Sequence, residues 1–253
     1  MTAAVPLAFA GGLLAGSFAT VVAHRIPRGE SWVGGRSRCP SCGETIAAHD
    51  NVPLLSYLFL RGRCRSCGER IPARYPLAEL AMATLFAATT LVIGTDDVGE
   101  LALGICLCAA LVIVTLTDLE RGVIPNAVVG AAALAAVAIV AVGDPSSFGE
   151  RALAAAGAGG FLLAAALAYP GGMGMGDVKL AAVIGLYLGS AVVAALVVAV
   201  VTGALVGLAV LLRHGSGARK RAIPFGPFLA LGGVVGLLAG AEMLDWYLDS
   251  FVR

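Results

Sequence analysis

The sequence predicts an all-α integral membrane protein of about eight transmembrane helices, with a small polar module between helices 1 and 2. Three observations carry this. Only 13% of the residues are charged and 59% are hydrophobic, against about 25% charged in a soluble domain. Apolar runs near the ~20 residues needed to cross hydrocarbon recur along the whole chain. The basic residues, finally, are spread very unevenly among the segments that join those runs.

The runs lie at about 4–23, 77–94, 100–117, 126–143 and 152–169. The first has no basic residue before it, and Arg25 and Arg28 follow it, so it reads as a retained span rather than a cleaved signal. The next run, about 178–212, is too long for one span: ~35 residues at ~1.5 Å each make ~52 Å, against ~30 Å of hydrocarbon. Divided near Gly189-Ser190, it becomes a short helix and a full one. A last run at about 225–245 completes the eight.

Charge tests the count. With the N-terminus outside, segments 24–76, 118–125, 170–177 and 213–224 face the cytoplasm. The nine arginines of 24–76, with Arg121, Lys179, Arg213, Arg219, Lys220 and Arg221, then lie inside or at the inner rim, and only Arg151 and Arg253 lie outside. This satisfies the positive-inside rule, and without the break at Gly189 the Arg213–Arg221 cluster lands on the wrong side. The chain accordingly divides into a first transmembrane helix (1–23), a cytoplasmic module (24–76) and a polytopic membrane domain (77–253).

The module holds four of the six cysteines, Cys39-Pro-Ser-Cys42-Gly and Cys64-Arg-Ser-Cys67-Gly. Two tight pairs of thiolates suit tetrahedral Zn²⁺, and the glycine after each pair permits the turn of a knuckle. A reducing compartment disfavours the alternative of two disulfides. Four cysteines saturate the ion, which makes the site structural and leaves His49 a loop residue. Cys106 and Cys108, in an apolar run, read as packing. The arginines of the module hold it inside and fit anionic headgroups of the lipid bilayer. Glu30, Glu44, Asp50 and Glu69 dilute the basic patch, so no nucleic-acid partner is expected.

Carboxylates in hydrocarbon are costly and usually functional. Asp118 closes one apolar run, and Asp177 opens another within Gly174-Met175-Gly176-Asp177-Val178-Lys179. Both fall at the cytoplasmic rim in the topology above. Taken singly, each also reads as a helix-end residue: Asp177 as an N-terminal cap, Asp118 as a partner of Arg121. Taken together they read as an acid pair sharing one proton, able to activate water and polarise a peptide carbonyl. Gly171, Gly172, Gly174 and Gly176 provide irregular backbone that would line a water-filled notch and admit a substrate strand. Glu79 and Glu242 read as interfacial or helix-paired. Gly12, Gly16 and Ser17 read as a close-packing face. Pro224-Phe225-Gly226-Pro227-Phe228 reads as a proline-started helix with an aromatic anchor.

These pieces, in this order, resemble the type IV prepilin leader peptidases, bacterial GxGD aspartic membrane proteases with N-methyltransferase activity. The resemblance covers nearly the whole chain. It runs through Gly12-Leu-Leu-Ala-Gly16-Ser17-Phe18, Arg25-Ile-Pro27, the two CxxC pairs, Asn51-Val-Pro-Leu-Leu-Ser56-Tyr57 and Tyr75-Pro76-Leu-Ala-Glu79. It continues through Asp118 with Ile124-Pro125-Asn126, the Gly174–Leu180 stretch and Pro224–Ala230. It implies Asp118 and Asp177 as the catalytic pair, with Gly174, Gly176 and Lys179 supporting the site. The implied substrates are type IV prepilins and type II secretion pseudopilins, cut after a short basic leader at the inner membrane. It also implies methylation of the new N-terminus with S-adenosyl-L-methionine, an activity tied to the module; no residue of this sequence marks where that donor binds. Family members commonly carry Asn where this chain has Thr20, a departure that bears on methylation and not on proteolysis.

Two other classes compete. A proton-coupled membrane transporter would use the intramembrane aspartates as a relay, but paired repeats with matching broken helices are not evident. A non-catalytic zinc scaffold would leave both aspartates without a task.

Overall fold

The computed structural model describes residues 3–32, 34–169, 172–214 and 223–251. Gly171, Arg219, Lys220, Arg221 and Arg253 lie outside the described residues. Among the described residues every long element is a helix, and β structure is limited to two isolated bridges, Arg38 with Thr45 and Arg63 with Arg70. The chain forms two compact units, Met1–Thr95 and Asp96–Arg253.

In the first unit α1 (Ala4–Arg25) packs along α3 (Arg74–Ile93). Lipid supplies no hydrophobic drive between helices, so small residues that let backbones approach decide such pairs. A methyl group at Gly12 would sit 2.6 Å from Ala83 Cα, and one at Gly16 would sit 2.6 Å from Glu79 Cα. The glycine face expected for helix packing is therefore the contact surface of α1. Between the two helices run two 3₁₀ turns, Ile26–Arg28 and Ala48–Asn51, and the five-residue helix α2 (Leu55–Phe59).

The second unit contains α4 (Val98–Arg121), α5 (Asn126–Gly143), α6 (Phe148–Ala168), α7 (Met175–Leu188), α8 (Val192–His214) and α9 (Gly226–Phe251). α6 packs on α7, α8 on α9, and α4 on both α5 and α9. Gly185 and Gly159 admit α6 against α7: an added methyl would meet Ala154 O at 2.7 Å or Ala182 Cβ at 2.9 Å.

Among the described residues seven stretches are long and apolar enough to cross a membrane, and the sixth is a 40-residue run, Met175–His214. It breaks where the sequence predicts: α7 ends at Gly189, whose φ is +56°, and a 3₁₀ turn Gly189–Ala191 leads into α8. A polar clamp holds the chain at this break. Ser190 N–H donates to Glu150 Oε1 at 3.1 Å, and buried Arg151 donates to the Tyr187 carbonyl, the Glu100 carboxylate and Ser147 Oγ. The protein is thus a multi-pass membrane protein, with eight principal helices among the described residues.

Two boundaries differ from the sequence expectation in a way that matters for the site. α4 runs on to Arg121, where Gly122 (φ +63°) caps it with its N–H on the Asp118 carbonyl at 2.8 Å. α7 starts at Met175. Asp118 and Asp177 therefore lie inside terminal helical turns rather than beside them.

Candidate active site

Asp118 is 6% exposed and Asp177 8%. Asp118 Oδ2 accepts the backbone N–H of Gly226 at 2.9 Å, the first residue of α9. An N–H there has no partner within its own helix, and the positive end of the helix dipole favours a carboxylate. The approach requires glycine, because a methyl at Gly226 would lie 2.6 Å from Asp118 Oδ2. Asp177 occupies the third position of α7. Its Oδ2 accepts Gly174 N–H at 3.1 Å while its own N–H donates to Gly174 O at 3.1 Å. One oxygen of each aspartate thus serves a helix end.

α4 touches α7, and the two carboxylates stand within electrostatic reach of each other. The loop after α4 closes on the same place, since a methyl at Gly176 would fall 2.9 Å from Ile124 Cβ. The close approach at Gly176 is thus made by Ile124 of the chain itself. Lys179 Nζ donates to Asn126 Oδ1 at 2.9 Å and ties α7 to the start of α5. Gly172 faces the Tyr169 ring. Asp118, Asp177, Gly174, Gly176 and Lys179 therefore gather around one end of α7. Gly226 joins them; its signal in the sequence is the Pro224–Phe228 motif, which reads as a helix start with an aromatic anchor and as part of the family resemblance, with no site role given to Gly226.

In the first unit the two CxxC segments fold alike. Cys39 N–H bonds Glu44 O at 2.9 Å and Cys64 N–H bonds Glu69 O at 2.8 Å; Gly43 and Gly68 both have φ +73°. The four sulfurs lie within 4.8 Å of one another, and Cys39 and Cys67 Sγ are 3.8 Å apart. A tetrahedral ion with Zn–S bonds of ~2.3 Å places its sulfurs ~3.8 Å apart, so this set fits Zn²⁺. Backbone N–H groups of Cys42 and then Ser41 hold the Cys39 thiol down to about 7, which favours the ligating thiolate. His49 stays outside the cluster, next to Asp50. Arg65 grips Asp50 through two bonds of 2.7 and 2.6 Å and lowers its carboxyl below the usual range.

Two family models match the chain, the bacterial peptidase A24 N-terminal domain over residues 11–93 and the type IV leader peptidase family over residues 105–210. A prepilin leader peptidase/N-methyltransferase from Bacillus subtilis is 38% identical over 95% of this chain and 96% of its own. The chain belongs to the type IV leader peptidase family. Relatives of the same name from Aeromonas hydrophila (34% identical; 97% of this chain, 94% of theirs) and Pseudomonas aeruginosa (32%; 94% and 91%) match along a similar length. No solved structure matches significantly. The protein is therefore a membrane peptidase.

This leader-peptidase chain also holds a cavity of about 430 Å³ in its first unit, lined by α1, the cysteine knuckles, α2 and the start of α3. Thr20 and Glu79 both face it. Thr20 Oγ1 donates to Ser17 O at 2.7 Å, turned back on its own helix. Glu79 was expected at an interface or paired along a helix; instead it is buried and accepts Leu54 N–H at 2.8 Å.

Proposed function

We propose that Asp118 and Asp177 are the catalytic pair of an aspartic endopeptidase. It removes the basic leader of type IV prepilins and type II secretion pseudopilins at the cytoplasmic face of the inner membrane. The observation that carries this is the arrangement just described: two buried carboxylates from different helices, each steadied by a backbone N–H at a helix end. One carboxylate takes a proton from a water while the other donates to the scissile carbonyl, and the roles reverse as the amine leaves. The helix-end bonds fix the orientation of both groups beforehand, the kind of preorganisation on which such chemistry depends. Gly174, Gly176 and Lys179 act by holding α7 in place, and Zn²⁺ on Cys39, Cys42, Cys64 and Cys67 holds the module.

The family name supports the peptide substrate, and the basic residues of 24–76 support the cytoplasmic side. α7, at 14 residues, is ~21 Å long, short of the ~30 Å hydrocarbon thickness. In the proposed topology this leaves Asp177 below the membrane surface, where the scissile bond of a prepilin, just ahead of its apolar helix, would sit.

The chain is also proposed to methylate the new N-terminus, as the names of its relatives state of them. The cavity of the first unit has the size of a small-molecule site and contains hydroxyls, carboxylates and arginines suited to a polar, charged donor. S-adenosyl-L-methionine, when bound, supplies the methyl group.

The test is an in-membrane cleavage assay on a prepilin-like substrate with methyl donor added, reading the product by mass spectrometry. Wild type is expected to cleave and to add ~14 Da, one methylene, to the new N-terminus. Asp118→Asn and Asp177→Asn are each expected to abolish cleavage in folded, zinc-loaded protein. Cleavage surviving in either variant would remove the acid pair from the mechanism.

A further inference from the structure

We propose that the cavity of the first unit seats a primary ammonium group on the carboxylate of Glu79, and that its occupant is the newly exposed N-terminal amine of the cleaved substrate. The identity of the occupant rests on the methyl-transfer reading above; the cation preference rests on the cavity alone.

Glu79 is buried in the wall of that cavity, 9% exposed, whereas the Glu44, Glu69, Arg38, Arg65 and Arg70 residues around it are exposed; the other buried carboxylate of the lining, Asp50, is already paired with Arg65. Its Oε2 is held by Leu54 N–H at 2.8 Å. No other described residue bonds to Glu79, so Oε1 is left to the cavity. None of the nearby cations bonds to Glu79, and Arg38 and Arg70 are exposed. Arg25 donates to the Ser31 and Gly34 carbonyls, Arg65 binds Asp50, and Arg74 lies over the Tyr75 ring, 5.2 Å from its centre. A buried carboxylate without a counter-charge is expensive. A ligand's ammonium on Oε1 would supply it.

The backbone points the same way. Leu54 has φ +58° and ψ −49°, a conformation that L side chains rarely adopt and that collects at functional sites. It aims the Leu54 N–H at Glu79. On the opposite side Gly16 brings α1 against the Glu79 backbone, where a methyl would lie 2.6 Å from Cα. Glu79 is thus fixed from two elements with one oxygen presented. Ser17 and Thr20, one and four residues along α1 from Gly16, line the same cavity. An ammonium offers three donors, and a fixed carboxylate oxygen is the strongest acceptor available to it.

The experiment uses the full-length protein in nanodiscs. The probes are a short apolar peptide with a free N-terminal amine and its N-acetylated twin, with binding read by calorimetry. Wild type is expected to prefer the free amine by roughly tenfold or more, the scale of a charge-assisted hydrogen bond. Glu79→Gln retains an oxygen for Leu54 N–H and removes only the charge, so the preference should fall to about one while leader cleavage and zinc content stay at wild-type levels. Equal discrimination by wild type and Glu79→Gln would overturn the proposal. Thr20→Lys provides an independent arm by placing an internal ammonium at the cavity; it should suppress free-amine binding, and unchanged binding would count against the proposal. Incubating wild type with peptide and methyl donor separates the two readings. A free-amine preference without methylation leaves the Glu79 site standing and removes methyl transfer; methylation that ignores Glu79→Gln does the reverse.

Discussion

At Asp118 the decisive neighbour is Gly226, 108 residues away, whose N–H reaches the carboxylate only because it has no Cβ. Gly226→Ala would put a methyl 2.6 Å from Oδ2 and push the acid off its position. Since misplacing a catalytic group by about 1 Å can cost ~10²-fold, we expect the cleavage rate to fall by about that factor with zinc content unchanged. Single-turnover cleavage in the membrane checks this, and a rate within threefold of wild type would show that the Gly226 contact is dispensable. Asp177 differs, because its partner Gly174 lies within its own helical turn. That local bond was legible in the sequence as a possible cap. The bond at Asp118 was not, since nothing in the apolar run before it points to residue 226.

Among the elements, α7 depends most on others for its length. Its last carbonyls would continue into α8 but for Gly189 and the Arg151 clamp, which joins α6, α4 and the Tyr187 carbonyl. Arg151→Met leaves Glu100 and that carbonyl without their donor. Glu100 keeps 43% of its side chain exposed, so water replaces part of the loss and the cost should be about 1–3 kcal/mol. We expect a lower midpoint of thermal unfolding in detergent, with Arg151→Lys falling between; an unchanged midpoint for Arg151→Met would mean that Gly189 alone makes the break. The cysteine knuckles are the other element held from outside the helices. Their backbone bonds are few, and structural zinc contributes roughly 10 kcal/mol in isolated fingers. Chelation, or Cys39→Ser, should raise hydrogen exchange across 36–72 and leave α4–α9 protected. Equal exchange before and after zinc removal would refute the structural role.

For the whole molecule, the proposed topology rests on the charge pattern, and Arg151 is the instructive exception to it. In the proposed topology it lies outside, yet it is buried and bonded to three partners, so it answers to packing and not to the positive-inside rule. Reporter fusions after Phe59 and Arg213 are expected to read cytoplasmic, and fusions after Asp97 and Asp144 to read external. An external reading at Arg213 would break the topology, because it requires the chain between α7 and the end of α8 to cross an unequal number of times.

Much of this protein follows from the chain read in one dimension. Span length against bilayer thickness, charge between spans and the spacing of cysteine pairs are local or additive properties, so eight helices, the break at Gly189 and a four-sulfur site were all accessible from residue order. The ordered motifs likewise carried the family. Packing decided what remained. The support of Asp118 by Gly226, the closing of Ile124 on Gly176, the burial of Arg151 and the cavity around Glu79 each join residues far apart in sequence. Each is set by side-chain volume and backbone approach in three dimensions, quantities that no periodicity or composition encodes.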